Sequence, residues 1–300
     1  MLKVAWNEHY AISLPEGHRF PMEKYNLIPE QLIYEGTITE ENLFSPNLLP
    51  EKEIFSVHDE EYWSKLKHGK LTADEIRRTG FPYSEALVTR ERVILQGTID
   101  CAMFALEHGV AMNVAGGTHH AFRDKGEGFC LLNDIAVAAK HLLDNTFVRR
   151  ILVVDLDVHQ GNGTASIFAD EPSVFTFSMH GGKNYPLKKE VSDLDVPLPD
   201  GIDDDTYMTL LRQHLSELLE RVDPDFIFYQ SGVDVLKTDK LGRLGLSLHG
   251  CKERDRYVLE TCKTNEIPVA ISMGGGYSEK ISDIVEAHAN TFRLASELFF

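Results

Sequence analysis

Short apolar runs alternate with helix-length amphipathic stretches along this chain. The runs fall at Leu2–Trp6, Ala111–Ala115, Arg150–Val154, Val174–Met179, Phe226–Tyr229 and Pro268–Met273. Between them the pattern predicts helices over Glu85–His108, Asn133–Asp144, Asp204–Val222, Cys251–Lys263 and Ser278–Leu298. Two carry start signals, Asn133 before Asp134 and Ser278 before Glu279. Strands that read as continuous apolar runs, separated by helices, predict a parallel sheet covered on both faces. No repeat, low-complexity tract or Pro/Gly/Ser linker divides the chain. Residues 1–300 therefore read as one α/β domain with a mainly parallel central sheet and helices on both faces. The segment Glu30–Gly80, broken by Pro46 and Pro50 and mixed in charge, reads as surface loops and short helices at the rim.

Composition narrows the picture only a little. A chain of 300 residues with 43% hydrophobic content is long enough for a sizeable core. Its apolar stretches are too short to span a bilayer, and the start, MLKVAWNEHY, lacks the features of a signal peptide. The expected location is the cytoplasm, with no membrane partner. The four cysteines show no CxxC spacing, so they read as reduced thiols and not as a zinc site. Acidic residues number 47 against 30 basic ones, a net charge of −17. That balance disfavours nucleic acid and would draw cationic substrates from a distance, although solubility alone is the better account of it.

Chemistry gathers where the strands end. In open α/β sheets the ligand site lies beyond the carboxyl ends of the strands. Here AMNVAGG runs into THH, ILVVDLDVHQGNG into acids and histidine, FIFYQSGVD into an acid, and VAISMGGGY into three glycines and a tyrosine. Strand alternation turns Asp155, Asp157 and His159 to one side. Buried carboxylates beside an imidazole need a compensating charge, and a cation supplies it. Oxygen and nitrogen donors without sulfur suit zinc, and also iron, cobalt or manganese. A catalytic zinc takes three protein ligands, which Asp157, His159 and Asp234 can provide. A solvated strand-to-loop turn is the plainer reading of the same acids. His119 and His120 offer a general base. The Gly274–Gly276 triplet permits close backbone approach, and Tyr277 beyond it can present its hydroxyl to an oxyanion. Neither GGGYSEK nor GNGTAS has a phosphate-loop pattern, HHAFRD lacks HExxH spacing, and no G-x-S-x-G elbow is present.

Taken together, LPEGHRFPMEKY, GGTHHAFRDKGEGFCLLNDIAVAA, ILVVDLDVHQGNGT, YQSGVDVLKTDKLGRLGLS and ISMGGGY resemble the histone deacetylase family, of the arginase-deacetylase fold. The wording is closer to the bacterial and class IV-like branch than to class I. The resemblance implies a zinc-dependent deacylase acting on acyl-lysine peptides or proteins, or on small acylated amines. It implies Asp157, His159 and Asp234 as zinc ligands, His120 as general base, His119 bonded to Asp155 as an orienting partner, and Tyr277 facing the substrate carbonyl. Where class I has an aspartate behind the second histidine, this chain has Asn162, which leaves His120 more readily neutral. Gly128, Phe129, Gly275 and Gly276 are implied in the acyl-lysine channel, with Tyr185 as its opposite wall and Leu241 at its lip. The loop after Ser178 departs from the family's length and wording. A structural potassium ion is implied on the backbone carbonyls of Asp155, Asp157, His159 and Met179 and the Ser178 hydroxyl. Arg19 matches a basic residue near an internal exit channel.

The chemistry that follows is hydrolysis by metal-activated water, with no covalent intermediate and Cys130 as packing. Two other functions stay open: deacetylation of a small acetylated amine such as a polyamine, and a catalytically silent acyl-lysine binder. An arginase-like centre lacks the acids for a second metal.

Overall fold

In the computed structural model, which describes residues 1–300, all eight strands pair in parallel. They are β1 (Lys3–Ala5), β2 (Leu43–Phe44), β3 (Val110–Asn113), β4 (Ile151–Asp155), β5 (Val174–Gly181), β6 (Leu194–Leu198), β7 (Phe226–Gln230) and β8 (Val269–Ser272). Their order across the sheet is β2-β1-β3-β8-β7-β4-β5-β6. Strands β3, β4, β7 and β8 are buried along their whole length, as continuous apolar runs require when helices cover both faces. Helices Glu85–His108, Asp134–Asp144, Asp204–Val222, Leu248–Thr264 and Ile281–Phe299 supply that cover. One hydrophobic cluster of 83 buried residues runs through the molecule. No helix is long and apolar enough to cross a membrane.

Each central strand ends on a polar residue, and the parallel register lines these residues up. Asn113 lies opposite Ser272, Ser272 opposite Gln230, Gln230 opposite Asp155, and Asp155 opposite Ser178. This polar row marks the carboxyl edge of the sheet, where the functional loops begin.

Elsewhere the structure corrects the sequence reading in places with evident causes. Strand β6 escapes the apolar pattern because LDVPL is a half-exposed edge strand with Pro197 inside it. Helix Lys24–Tyr34 contains Pro29, which disguised it. The last helix starts at Ile281, since Ser278 bonds the Thr238 hydroxyl at 3.0 Å instead of capping. Asn133 does cap its helix, accepting from the Ala136 N–H at 3.0 Å. Within Glu30–Gly80 the expected short helices are present, at Glu51–Ile54, Glu60–Lys67 and Ala73–Thr79. Ile54, Trp63 and Leu66 nevertheless enter the core.

His58, also from this segment, locks the long loop behind the site. Its Nδ1–H donates to the Phe122 carbonyl at 2.9 Å, and its Nε2 accepts the Asn133 N–H at 2.9 Å. Only the neutral ring can do both. Burial is the main cause that pushes its pKa down to about 4. A histidine depressed in the folded state contributes stability that is complete above the unfolded value near 6.5 and is lost as pH falls toward about 4. The folded protein should therefore lose up to about 3 kcal/mol through this group between those pH values. Urea unfolding at several pH values checks this: His58→Gln should flatten the slope relative to wild type, and an unchanged slope would refute the assignment.

Candidate active site

Strand β4 ends at Asp155, and the next residues fold back tightly instead of continuing the strand. Asp155 Oδ1 accepts the Asp157 N–H at 3.1 Å, Asp157 Oδ1 accepts the His159 N–H at 3.0 Å, and Asp234 Oδ1 accepts the Val158 N–H at 2.9 Å. These bonds bring His159 Nδ1 within 3.1 Å of both Asp157 Oδ1 and Asp234 Oδ2. Asp157, His159 and Asp234 each offer one donor atom, all within 4.8 Å of one another, and all three are buried. Burial first, and then the Asp157 charge, push the Asp234 carboxyl up to about 7. A divalent cation among these atoms would relieve that repulsion, and the mixed oxygen and nitrogen donors fit zinc. Backbone crowds the carboxylates from behind. A side chain at Gly232 would run into the Asp157 carboxylate, and one at Gly275 into Asp234. The Gly275 N–H also donates to Asp157 Oδ2 at 2.8 Å. Close approach, not turn flexibility, is what glycine provides here.

The histidine pair follows β3, in a loop that Asp134 holds in place. Asp134 Oδ1 accepts from the Thr118 N–H (2.8 Å) and hydroxyl (2.7 Å), while Oδ2 accepts from the Thr98 and Ser272 hydroxyls at 2.8 and 2.9 Å. One buried carboxylate thus ties a helix, the end of β8 and the catalytic loop together. Gly117 has φ +75, and a β-carbon on it would strike the Gly274 backbone. His119 Nδ1 lies 2.6 Å from Asp155 Oδ2. Burial works against its protonation, but Asp155 and Asp157 outweigh it and raise the imidazole.

His120 is held differently. Its Nδ1 lies 2.6 Å from Asn162 Oδ1, and Asn162 Nδ2 donates to Glu127 Oε1 at 2.7 Å. A carboxylate only accepts, so Glu127 fixes the amide's orientation, and Asn162 Oδ1 must accept from His120 Nδ1–H. The Nε2 lone pair is then free. Burial chiefly, followed by the charges of His119 and His159, pushes this imidazole well below its ordinary value. Its ring is held neutral.

His119, His120, Asp157, His159 and Asp234 open on one pocket of about 450 Å³. Phe129 forms one wall, with its ring 5.2 Å from Phe20 and 5.8 Å from Tyr277, centroid to centroid. It adopts φ +66, a left-handed conformation costly for a phenylalanine. Bonds from the Gly128 and Phe129 N–H groups to the Arg78 and Thr79 carbonyls hold it there, at 3.0 and 2.8 Å. Tyr185 forms the other wall, edge-on to His120 at 5.0 Å. Leu241 sits in the lining, and its carbonyl accepts from Asn184 Nδ2 at 2.7 Å, which ties the two mouth loops together. Tyr277 lines the pocket with its N–H bonded to Asp239 Oδ2 at 2.6 Å, and burial pushes its phenol well up. The Cys130 thiol, likewise pushed up by burial, stays protonated and inert.

Two expected residues lie elsewhere. Gly276 is absent from the lining, because a side chain there would point at Val233, Ile284 and His288. Arg19 is exposed, with its guanidinium 5.1 Å from the Phe129 ring centroid, so it stands outside that wall and not at an interior exit. The arginine inside is Arg90, ion-paired with Glu91 at 2.6 Å. Two adjacent charges on a helix read as solvent-facing, which concealed this buried pair.

The chain matches the family described as the histone deacetylase domain over residues 18–292. It belongs to the histone deacetylase family. An uncharacterised protein of Picosynechococcus is 45% identical over 296 residues, covering 99% of each chain. Histone deacetylase 2 of Arabidopsis thaliana is 26% identical, over 95% of this chain and 76% of its own. Among solved structures, an HDAC homologue complexed with SAHA superposes with a TM-score of 0.86 at 25% identity, over 99% of this chain and 84% of that one. Membership in the histone deacetylase family makes the chain a deacetylase-type hydrolase, and the eight-stranded parallel sheet is the family's fold.

Proposed function

We propose that this chain hydrolyses the amide of an acylated lysine, using a divalent cation, zinc by donor chemistry, held by Asp157, His159 and Asp234. One observation carries the reading. A neutral imidazole, a protonated phenol and a buried three-donor cluster all face a single channel walled by Phe129 and Tyr185. When bound, the cation supplies a Lewis acid that polarises the amide carbonyl and acidifies water.

The chain's own groups do the rest. Phe129 and Tyr185 grip the apolar stem of the acyl-lysine and keep bulk water out. His120 Nε2 accepts a proton from the attacking water and later returns it to the departing amine. Tyr277 keeps its proton and donates it as a hydrogen bond to the carbonyl oxygen as negative charge develops there. His119, held by Asp155, packs against His120 and lowers its basicity. The proposal includes a structural potassium ion on the carbonyls of Asp155, Asp157, His159 and Met179 with the Ser178 hydroxyl. The buried, in-register pair Asp155 and Ser178 supports it.

The test is direct. Zinc-loaded protein should release acetate from an acetyl-lysine peptide faster than from an acetylpolyamine, and a hydroxamate should block it. Reversed preference would assign the small-amine substrate. Fully metal-loaded protein that binds the peptide without turning it over would assign a silent binder.

A further inference from the structure

The mouth of the channel carries the opposite charge to the rest of the molecule. Although the chain has a net charge of −17, the pocket's outer lining holds the exposed cations Arg19, Arg77 and Arg78. The two loops that place Tyr185 and Leu241 in the lining are also basic. The stretch 183–189 reads KNYPLKK, and 237–243 reads KTDKLGR. The Asn184 bond to the Leu241 carbonyl joins these loops at the rim, while the Gly128 bond to the Arg78 carbonyl fixes the arginine pair to the Phe129 wall.

Five of these cations, on four separate segments, have no ion-pair partner within the protein. Arg77 pairs with Asp74 at 2.7 Å, Lys183 and Arg243 share Asp200 at 3.8 and 3.0 Å, and Lys189 donates to the Asn184 and Pro186 carbonyls. By contrast, Arg78, Lys188, Lys237 and Lys240 make no ion pair or side-chain hydrogen bond within the protein, and Arg19 makes only its contact with the Phe129 ring. The acid within these segments is committed: Asp239 accepts from the Leu241, Gly242 and Tyr277 N–H groups. Arg19 and Arg78 line the opening itself, and Lys188 and Lys240 stand on the chain beside its lining residues Tyr185 and Leu241, so the unpaired cations form a basic rim that complements an anionic chain laid across it. Such a rim repels a basic segment at the moment its lysine would enter.

We propose, building on the acyl-lysine reading above, that the entrance selects acylated lysines carried on acidic polypeptide segments, whose carboxylates pair with Arg78, Lys188 and Lys240. The global charge does not oppose this. Exposed charges act over about a Debye length, ~10 Å at 0.1 M salt, so an incoming peptide at the mouth feels the local rim. Nucleic acid has no such local chance, because its phosphates would extend over the acidic surface beyond. A carboxylate can also come from the free amino acid acetyl-lysine itself, and the experiment separates the two sources.

The measurement is kcat/KM of zinc-loaded protein on acetyl-lysine peptides of equal length flanked by Asp/Glu, by Ser/Gly or by Lys/Arg, together with free Nε-acetyl-lysine. At low salt the acidic peptide should exceed the basic one by about 10- to 100-fold. At 1 M salt, with a Debye length of ~3 Å, the ratio should shrink toward unity. The double variant Lys188→Glu/Lys240→Glu should invert the preference. The ratio is read within each variant, so a general loss of activity cancels. Equal turnover of all three peptides at low salt, or a preference that the variant leaves unchanged, would overturn the proposal. So would free acetyl-lysine surpassing the acidic peptide. Failure of all three peptides and of free acetyl-lysine alike would instead strike the acyl-lysine reading on which the proposal rests.

Discussion

Stripped of divalent metal, the protein should lose at least about a thousandfold in turnover of an acetyl-lysine peptide, and stoichiometric zinc should restore it. The expectation follows from the cluster's electrostatics. Asp157 and Asp234 are buried side by side, and His159 alone does not compensate two carboxylates. Chelation followed by metal analysis and a peptide assay makes the measurement. Stability should move with activity. An ion bound only by the folded chain adds RT ln(1 + [L]/Kd), about 4 kcal/mol at a thousand times Kd. A thermal melt with and without zinc reads that second effect. Asp234→Asn, which keeps the shape and halves the pair's charge, should lose both. Metal-free protein that turns over at full rate would end the metal-dependent reading.

Replacing Tyr277 by phenylalanine should lower kcat by about 10²–10³ while KM changes little. The phenol is held protonated by its burial and by the nearby carboxylates of Asp234 and Asp157, so it can donate throughout the neutral range. Its ring packs against Phe20 and Phe129, at 6.1 and 5.8 Å, and phenylalanine preserves those contacts. A donor that engages the developing oxyanion acts on the barrier and leaves substrate binding nearly alone. Steady-state kinetics on the same peptide decide the matter. A variant with normal kcat would remove Tyr277 from the chemistry, and one with only a raised KM would make it a wall of the channel.

Much of the site was legible because parallel strands broadcast it. Four buried apolar runs ending in Asn113, Asp155, Gln230 and Ser272 announce a carboxyl edge. Residues placed just past such an edge must converge, as Asp157, His159, Asp234, His120 and Tyr277 do. The rest was hidden for physical reasons. Asp134 reads as an ordinary first-turn acid, yet its carboxylate collects four bonds from three separate segments. Glu127 reads as one charge in a glycine-rich loop, yet it orients Asn162 and through it His120. Lys24 is one of two adjacent charges in the sequence, beside Glu23, but it is fully buried with its ammonium 3.0 Å from the Gly274 carbonyl, and burial pushes it down to about 8. Such roles come from distant pairings, which periodicity does not encode. Arg19 was placed at the wrong face for the same reason.

The sheet order adds a constraint on assembly. β8, the last strand along the chain, occupies an inner position between β3 and β7. Until it inserts, the chain has two half-sheets with open inner edges: β2-β1-β3 on one side and β7-β4-β5-β6 on the other. Strand pairs so far apart in sequence close slowly, and unpaired edges invite association with other chains in the interval. The same insertion draws Gly274–Tyr277 up against Asp157 and Asp234. Maturation of the sheet and the onset of catalytic competence are therefore a single event, and a chain stalled before it is both inactive and adhesive.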